Sequence, residues 1–100
     1  MPEIIMYKLE YTNTFKKDVK KAAKRGYNLT LLETAIDLLQ KDGKLPPEYK
    51  THRLSGKYAG KYECHIKPDW LMIWEQDDDK MILLFFNTGT HSDLFWMLVS

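Results

Sequence analysis

Three histidines are the residues whose chemistry stands out in this sequence. His52 is predicted to lie in the loop after Pro46 and Pro47, His65 lies in an alternating segment, and His91 follows the last apolar run. Imidazole has an ordinary pKa of about 6.5, so it can donate or accept a proton near neutral pH. Taken singly, each histidine is more often a surface or packing residue. Together they would be suited to general acid–base catalysis.

The spacing of the histidines argues against a metal centre and against a cysteine nucleophile. Intervals of thirteen and twenty-six residues contain no short ligand pair, and the single cysteine, Cys64, cannot complete a zinc site. Cys64 and His65 are neighbours on a predicted strand, so their side chains point to opposite faces. We therefore expect Cys64 in the core, no metal and no cofactor.

The first half of the chain predicts one strand and two helices that would support the histidines. Residues 7–12 alternate apolar and polar side chains, which is typical of a half-buried strand. A first helix follows with Thr12 or Asn13 as its N-cap, and it ends at Gly26. A second helix opens with a Thr30–Glu33 capping box and ends at Gly43.

The second half changes to the two-residue period of strands. It predicts three strands and a short final helix capped by Ser92, over residues 62–67, 70–75, 81–86 and 92–98. Trp70 and Trp74 share a strand face with Met72 and are expected mostly in the core. Helices segregated from consecutive strands indicate an α+β fold with an antiparallel sheet, and 100 residues are expected to form one domain.

The net charge of +1 is the sum of two opposed halves. Residues 1–61 contain thirteen Lys and Arg and seven Asp and Glu, a net charge of +6. Residues 62–100 contain two Lys and seven Asp and Glu, a net charge of −5. Such asymmetry is compatible with contact to a polyanion. The alternative is an ordinary solvated helix face, formed by Lys16, Lys17, Lys20, Lys21, Lys24 and Arg25.

Composition also limits where the protein can work. A single cysteine excludes an intrachain disulfide framework. The longest strictly apolar run, residues 81–86, is far shorter than the ~20 residues of a membrane span. We therefore expect a cytoplasmic protein without a membrane partner.

Three segments of the chain carry specific motifs: H-R-L-S-G at 52–56, C-H-I-K-P-D-W at 64–70 and N-T-G-T-H-S-D-L-F at 87–95. Together they resemble the YafQ-type branch of the RelE/ParE toxin superfamily. The resemblance covers essentially the whole chain, and the His-to-Trp segment combined with T-G-T-H is specific. It implies a RelE-like α+β fold: two N-terminal helices packed on a small, mostly antiparallel sheet, with a short C-terminal helix.

The resemblance also implies a function and its partners. Such a chain would be a type II toxin that cleaves mRNA in the ribosomal A site without a metal, by attack of the RNA 2′-hydroxyl on the adjacent phosphate. Its partners would be the ribosome, mRNA and a cognate protein antitoxin of the DinJ/RelB-like, ribbon-helix-helix kind. Operator DNA would be contacted only through the antitoxin complex.

By the same resemblance, four residues occupy catalytic positions. His91 would be the general acid and His65 or Asp69 the base, while His52 would bind phosphate or tune its neighbours. Six further residues would bind RNA or shape the pocket, with Trp70 and Phe95 as candidates for stacking on a base: Arg53, Lys61, Lys67, Trp70, Asn87 and Phe95.

One departure from the family pattern leaves the activity open. The position before T-G-T-H is usually Arg, and Asn87 offers one amide dipole instead of a charged bidentate fork. Either Lys61, Lys67 or Arg53 takes over, or the activity is weaker. Two alternatives follow: a non-catalytic, ParE-like toxin that inhibits gyrase, or an attenuated toxin acting mainly as an antitoxin-binding co-repressor. The His and Asp set favours RNA cleavage.

Overall fold

The computed structural model describes residues 5–98, apart from the side chains of Lys57 and of residues 95–98. Two consecutive helices precede a run of consecutive strands, as the α+β prediction requires, and that prediction is confirmed. In chain order the main elements are β1 Lys8–Tyr11, α1 Asn13–Lys24, α2 Leu29–Asp42, β2 His52–Arg53, β3 Lys61–Lys67, β4 Trp70–Asp77, β5 Ile82–Gly89 and α3 His91–Leu98. No helix among residues 5–98 combines the length and apolarity needed to cross a lipid bilayer.

The strands form one five-stranded sheet in the order β1-β5-β4-β3-β2. β1 is parallel to β5, and the other neighbours are antiparallel, so the expected mostly antiparallel sheet is confirmed. The prediction that His52 lies in a loop is wrong, because β2 pairs His52 with Glu63. A two-residue strand is too short to show an alternating pattern in the sequence.

The sheet is covered on both faces around its central strand. Phe15 of α1 and Leu39 of α2 pack with Cys64, Trp74 and Phe85 on one face. On the other face Leu71 and Ile73 of β4 contact Leu94 of α3. The near-continuous apolar run of β4 follows from this two-sided burial.

The helix ends are set by local hydrogen bonds. The Thr12 side chain accepts from the Phe15 N–H, as predicted. The predicted Thr30–Glu33 capping box is wrong, since Asn28 starts α2 earlier and its side chain accepts from the Thr30 N–H. Asparagine is among the strongest N-cap residues, and it leaves Thr30 inside the helix.

The start of α3 also differs from the prediction. Thr90 and Asp93 bond reciprocally: the Asp93 N–H donates to Thr90 Oγ1 at 3.1 Å, and the Thr90 N–H donates to Asp93 Oδ2 at 3.0 Å. This is the geometry of a capping box, so α3 begins at His91 and Ser92 is not its cap.

Tyr7 joins the end of α2 to the turn between β4 and β5. Its hydroxyl donates to Asp78 Oδ1 at 2.6 Å. The same hydroxyl packs against Gly43, where the Cβ of any larger residue would lie only 2.7 Å from the hydroxyl oxygen. The hydrogen bond raises the pKa of Tyr7 and lowers the pKa of Asp78.

Tyr7→Phe should therefore destabilise the protein by about 1 kcal/mol in a pH-dependent way. Because the pKa of Asp78 is lowered in the folded protein, the bond stabilises the fold above about pH 4, and this stabilisation is lost as the pH falls further. Because the pKa of Tyr7 is raised, the bond stabilises the fold below about pH 10, and this stabilisation is lost as the pH rises further. Urea unfolding of both proteins at pH 3, 7 and 10.5 measures the difference. An equal difference at all three values would contradict this account of the bond.

Candidate active site

The structure brings the four predicted catalytic residues together at one end of the sheet. His52 lies on β2, His65 on β3, Asp69 in the turn between β3 and β4, and His91 at the first residue of α3. The ring centroids of His52 and His65 are 6.5 Å apart, and those of His65 and His91 are 5.8 Å apart. His65 alternates with the core residue Cys64, so it points away from α1 and α2.

His91 is held by two hydrogen bonds to one carboxylate oxygen. Asp69 Oδ1 accepts from the His91 backbone N–H at 2.8 Å and lies 2.5 Å from Nδ1. The backbone bond, and then the ring bond, keep the pKa of Asp69 below its ordinary value. Because an ionised carboxylate only accepts, the proton sits on Nδ1 and the other ring nitrogen, Nε2, is left to exchange protons.

His65 is oriented by a backbone carbonyl. Its Nδ1 lies 3.3 Å from the Pro68 oxygen, which can only accept a hydrogen bond. The neutral ring therefore carries its proton on Nδ1 and keeps the Nε2 lone pair free. This is the tautomer that a general base requires.

His52 is bonded on both ring nitrogens to acceptors. Nδ1 lies 3.1 Å from the Lys50 carbonyl oxygen, and Nε2 lies 3.2 Å from Glu63 Oε1. Both ring nitrogens are therefore engaged by groups of the protein itself, and neither is left for a phosphate. Of the two predicted roles, tuning its neighbours fits this geometry better than binding a phosphate.

Glu63 is the member of the site that sequence reasoning missed. Its side chain is only 5% exposed, and among the described residues its Oε2 accepts no hydrogen bond. The signal for it was its position opposite His52, which is visible only once β2 is known. A buried carboxylate that faces one histidine depends strongly on that histidine for its stability.

The three predicted cations are placed differently. Lys67 lines two open grooves beside the turn that carries Asp69, one of about 520 Å³ next to His65 and one of about 480 Å³ next to Asp69. The Arg53 guanidinium instead donates to the Tyr62 hydroxyl at 2.9 Å. The Lys61 amine lies 4.6 Å from the centroid of the Phe86 ring. Lys67 is thus the best placed of the three for a phosphate.

The remaining predicted residues are buried or lie outside the described side chains. Trp70 is 3% exposed and donates from Nε1 to Thr88 at 2.9 Å, so it shapes the site from within the core and has no face free for a base. Asn87 is 5% exposed, and its amide donates to Asp18 on α1 at 3.1 Å. The Phe95 side chain falls outside the described residues.

Cys64 takes no part in this chemistry. It is fully buried, as expected, and burial raises the pKa of its thiol to about 12. Within the described part of the chain, no group of three or more His, Cys, Asp or Glu side chains is arranged to hold a metal ion.

Residues 7–96 match the model of a family described as a bacterial toxin of type II toxin–antitoxin systems, YafQ. The fold and the histidine site therefore define the toxin half of such a system, as the resemblance implied. The chain belongs to the YafQ toxin family.

Relatives and solved structures agree with this assignment. The mRNA interferase toxin YafQ of Escherichia coli K12 is 38% identical over 93 residues, covering 92% of this chain and 99% of the relative. The toxin in the E. coli DinJ–YafQ toxin–antitoxin complex superposes with a TM-score of 0.81 at 38% identity, over 89% of this chain and 97% of that one. A metal-bound toxin from Helicobacter pylori superposes with a TM-score of 0.82 at 36% identity, over 90% of this chain and 100% of that one.

The pairing of His52 with Glu63 predicts an unusual mutational pattern. His52→Ala should destabilise the fold by about 1–3 kcal/mol, because it leaves a buried carboxylate without its partner. Adding Glu63→Gln to that variant should restore much of the loss, since a neutral amide is cheaper to bury.

Urea unfolding of the two single variants and the double variant measures this coupling. His65→Ala is the matched control, because the described hydrogen bond of its ring is to a carbonyl at the protein surface and not to a buried charge. A His52→Ala protein as stable as the His65→Ala protein would show that Glu63 does not depend on His52.

Proposed function

We propose that this chain is an mRNA interferase toxin that cleaves mRNA in the ribosomal A site, using the 2′-hydroxyl of the RNA as the nucleophile and no metal. The observation that carries the proposal is the pair of histidines, His65 and His91, whose ring centroids are 5.8 Å apart and whose Nδ1 atoms are both bonded to acceptors. Each ring keeps Nε2 for proton transfer. The name of the E. coli relative, an mRNA interferase, supports the same activity.

The proposed reaction needs one base and one acid. Nε2 of His65 takes the proton of the 2′-hydroxyl while its oxygen attacks phosphorus. The bond to the 5′-oxygen then breaks, and Nε2 of His91 protonates that leaving oxygen. The products are a 2′,3′-cyclic phosphate and a 5′-hydroxyl, and each histidine contributes roughly 10²–10⁴-fold in rate.

The geometry supports His65 over Asp69 as the proposed base. Asp69 has both of its described bonds to His91, and these lower the pKa of its carboxyl group, which makes it a weaker base. In the proposed mechanism Asp69 instead fixes the His91 tautomer and stabilises the imidazolium before it gives up its proton. The relation is the same as that of the aspartate and histidine in a serine protease.

Positive charge for the phosphorane oxygens would come from Lys67. It lines the grooves on either side of the turn that carries Asp69, whereas both ring nitrogens of His52 are engaged by Lys50 and Glu63. In this proposal Lys67 takes over from the arginine that the family usually has at the position of Asn87. Preorganised charge of this kind is commonly the largest single contribution to such a reaction.

The proposed partners are the ribosome with its mRNA and a cognate antitoxin. Lys16, Lys17 and Lys20 are exposed on α1 and would contact ribosomal RNA, whereas Lys21 and Arg25 are paired with Asp93. A relative is solved in complex with the antitoxin DinJ. For this chain we propose an antitoxin of that ribbon-helix-helix kind, through which operator DNA is bound, and a cytoplasmic location.

One observation keeps a second candidate function in view. Asn87 is buried and its amide is used by Asp18, so this position cannot supply a charge to the phosphate. A weakly active toxin that serves mainly to bind its antitoxin would be compatible with that substitution.

His91→Ala should abolish growth arrest when the toxin is induced, because the leaving oxygen loses its acid. Primer extension on a translated mRNA should show in-frame cuts with the wild type and none with the variant. Circular dichroism and antitoxin binding, both unchanged, would show that the variant is folded. A folded variant that still arrests growth and cuts mRNA would remove His91 from the mechanism.

Replacing Lys16, Lys17 and Lys20 by Glu should weaken binding to ribosomes and flatten its salt dependence, because fewer counterions are released. Co-sedimentation with ribosomes between 50 and 200 mM salt measures both effects, with a Lys41→Glu, Lys44→Glu protein as the control. Unchanged affinity and salt dependence in the triple variant would make these lysines an ordinary solvated face.

A further inference from the structure

An ion pair joins α1 to the first turn of α3, next to the histidine site. Arg25 Nη1 donates to Asp93 Oδ2 at 2.6 Å, and Nη2 donates to Oδ1 at 3.0 Å. The Lys21 amine reaches Oδ1 at 3.3 Å. The Asp93 side chain is only 19% exposed, and a two-pronged guanidinium–carboxylate contact of this kind is geometrically specific.

The same carboxylate also defines where α3 begins. Asp93 Oδ2 accepts from the Thr90 N–H while the Asp93 N–H donates to Thr90 Oγ1. Gly89 permits this close approach, since a Cβ there would lie 2.9 Å from Asp93 Oδ2. Arg25 is the main cause of the strongly lowered pKa of Asp93, so the carboxylate stays ionised throughout the neutral range.

His91 lies inside this capping box, between Thr90 and Asp93. Its backbone N–H and its ring must both point at Asp69 Oδ1. We propose that Arg25 and Asp93 are positioning residues for His91: their ion pair fixes the first turn of α3 against α1, so that Asp69 binds the backbone and the ring of His91 together. The proposal deepens the proposed function, because it rests on His91 being the general acid.

The ion pair changes the interpretation of the basic helix. The sequence places Arg25 at the end of a run of basic residues that could all be solvated. In the structure its guanidinium instead binds Asp93, which is 68 positions away in the chain. A rigid support matters here because a small displacement of an acid from its leaving group costs a large part of its rate contribution.

The test compares Arg25→Gln, Asp93→Asn and the double variant, with Asp42→Asn on the exposed end of α2 as the matched carboxylate control. Asparagine can still accept from the Thr90 N–H, so the Asp93→Asn protein keeps part of its cap. Ribosome-dependent cleavage gives kcat and KM for each variant, and NMR of the imidazole follows the His91 Nδ1 proton bonded to Asp69.

Each single variant should lower kcat about tenfold while KM stays within about twofold of the wild type. The double variant should be no slower than the slower single variant, because both changes break one interaction. The His91 Nδ1 proton signal should broaden or shift in all three. Arg25→Lys, which keeps the charge but loses the fork, should recover part of the rate, and Asp42→Asn should leave rate and signal unchanged.

An unchanged kcat in the Arg25→Gln and Asp93→Asn proteins would overturn the proposal. So would a change confined to KM, which would make Arg25 a ribosome contact. An unperturbed signal of the His91 Nδ1 proton in the Arg25→Gln protein would also overturn it. Failure of the proposed function is distinguishable from these. A wild-type protein that cuts no mRNA would contradict the proposed function, while the NMR comparison would still decide whether Arg25 and Asp93 hold His91.

Discussion

The contact between Asp69 and His91 is the constraint on which the rest of the site depends. One carboxylate oxygen accepts both from the backbone and from the ring of the same histidine. These two hydrogen bonds form only if the turn after β3 lies directly beside the first residue of α3. It also determines which nitrogen of His91 is left to exchange a proton, and hence the role that this ring can perform.

Two parts of the fold bring those elements together. The antiparallel pairing of β4 with β5 sets Leu71, two residues after Asp69, opposite Gly89, two residues before His91. On one face of the sheet, Leu94 of α3 packs on Leu71 and Ile73. In the core on the opposite face, Trp70 donates a hydrogen bond to Thr88. Because both faces are buried, this end of the sheet is a rigid support for Asp69 and His91, whose own side chains are about half exposed. A chain of 100 residues thus has enough core to hold Asp69 and His91 in place.

The sequence predicts what is decided locally and misses what is decided across the chain. Thr12 and Gly43 set helix ends through their own turns, and both are evident from residue type. Asn28 displaces the expected capping box because it offers an equally good cap two residues earlier. Glu63 and the pairing of Arg25 with Asp93 could not be predicted, since each depends on a partner that only the tertiary fold supplies. The four histidine and aspartate positions were found through motif resemblance, whereas their distances and tautomers required the structure.

The most direct test of the account is a change in the leaving group of the RNA. An mRNA with sulfur in place of the bridging 5′-oxygen at the cleavage site has a leaving group that needs little protonation. On ribosomes that carry this mRNA in the A site, His91→Ala should cut close to the wild-type rate, although it loses roughly 10²–10⁴-fold on the ordinary RNA. An equal loss on both substrates would contradict the assignment of His91, held by Asp69, as the general acid.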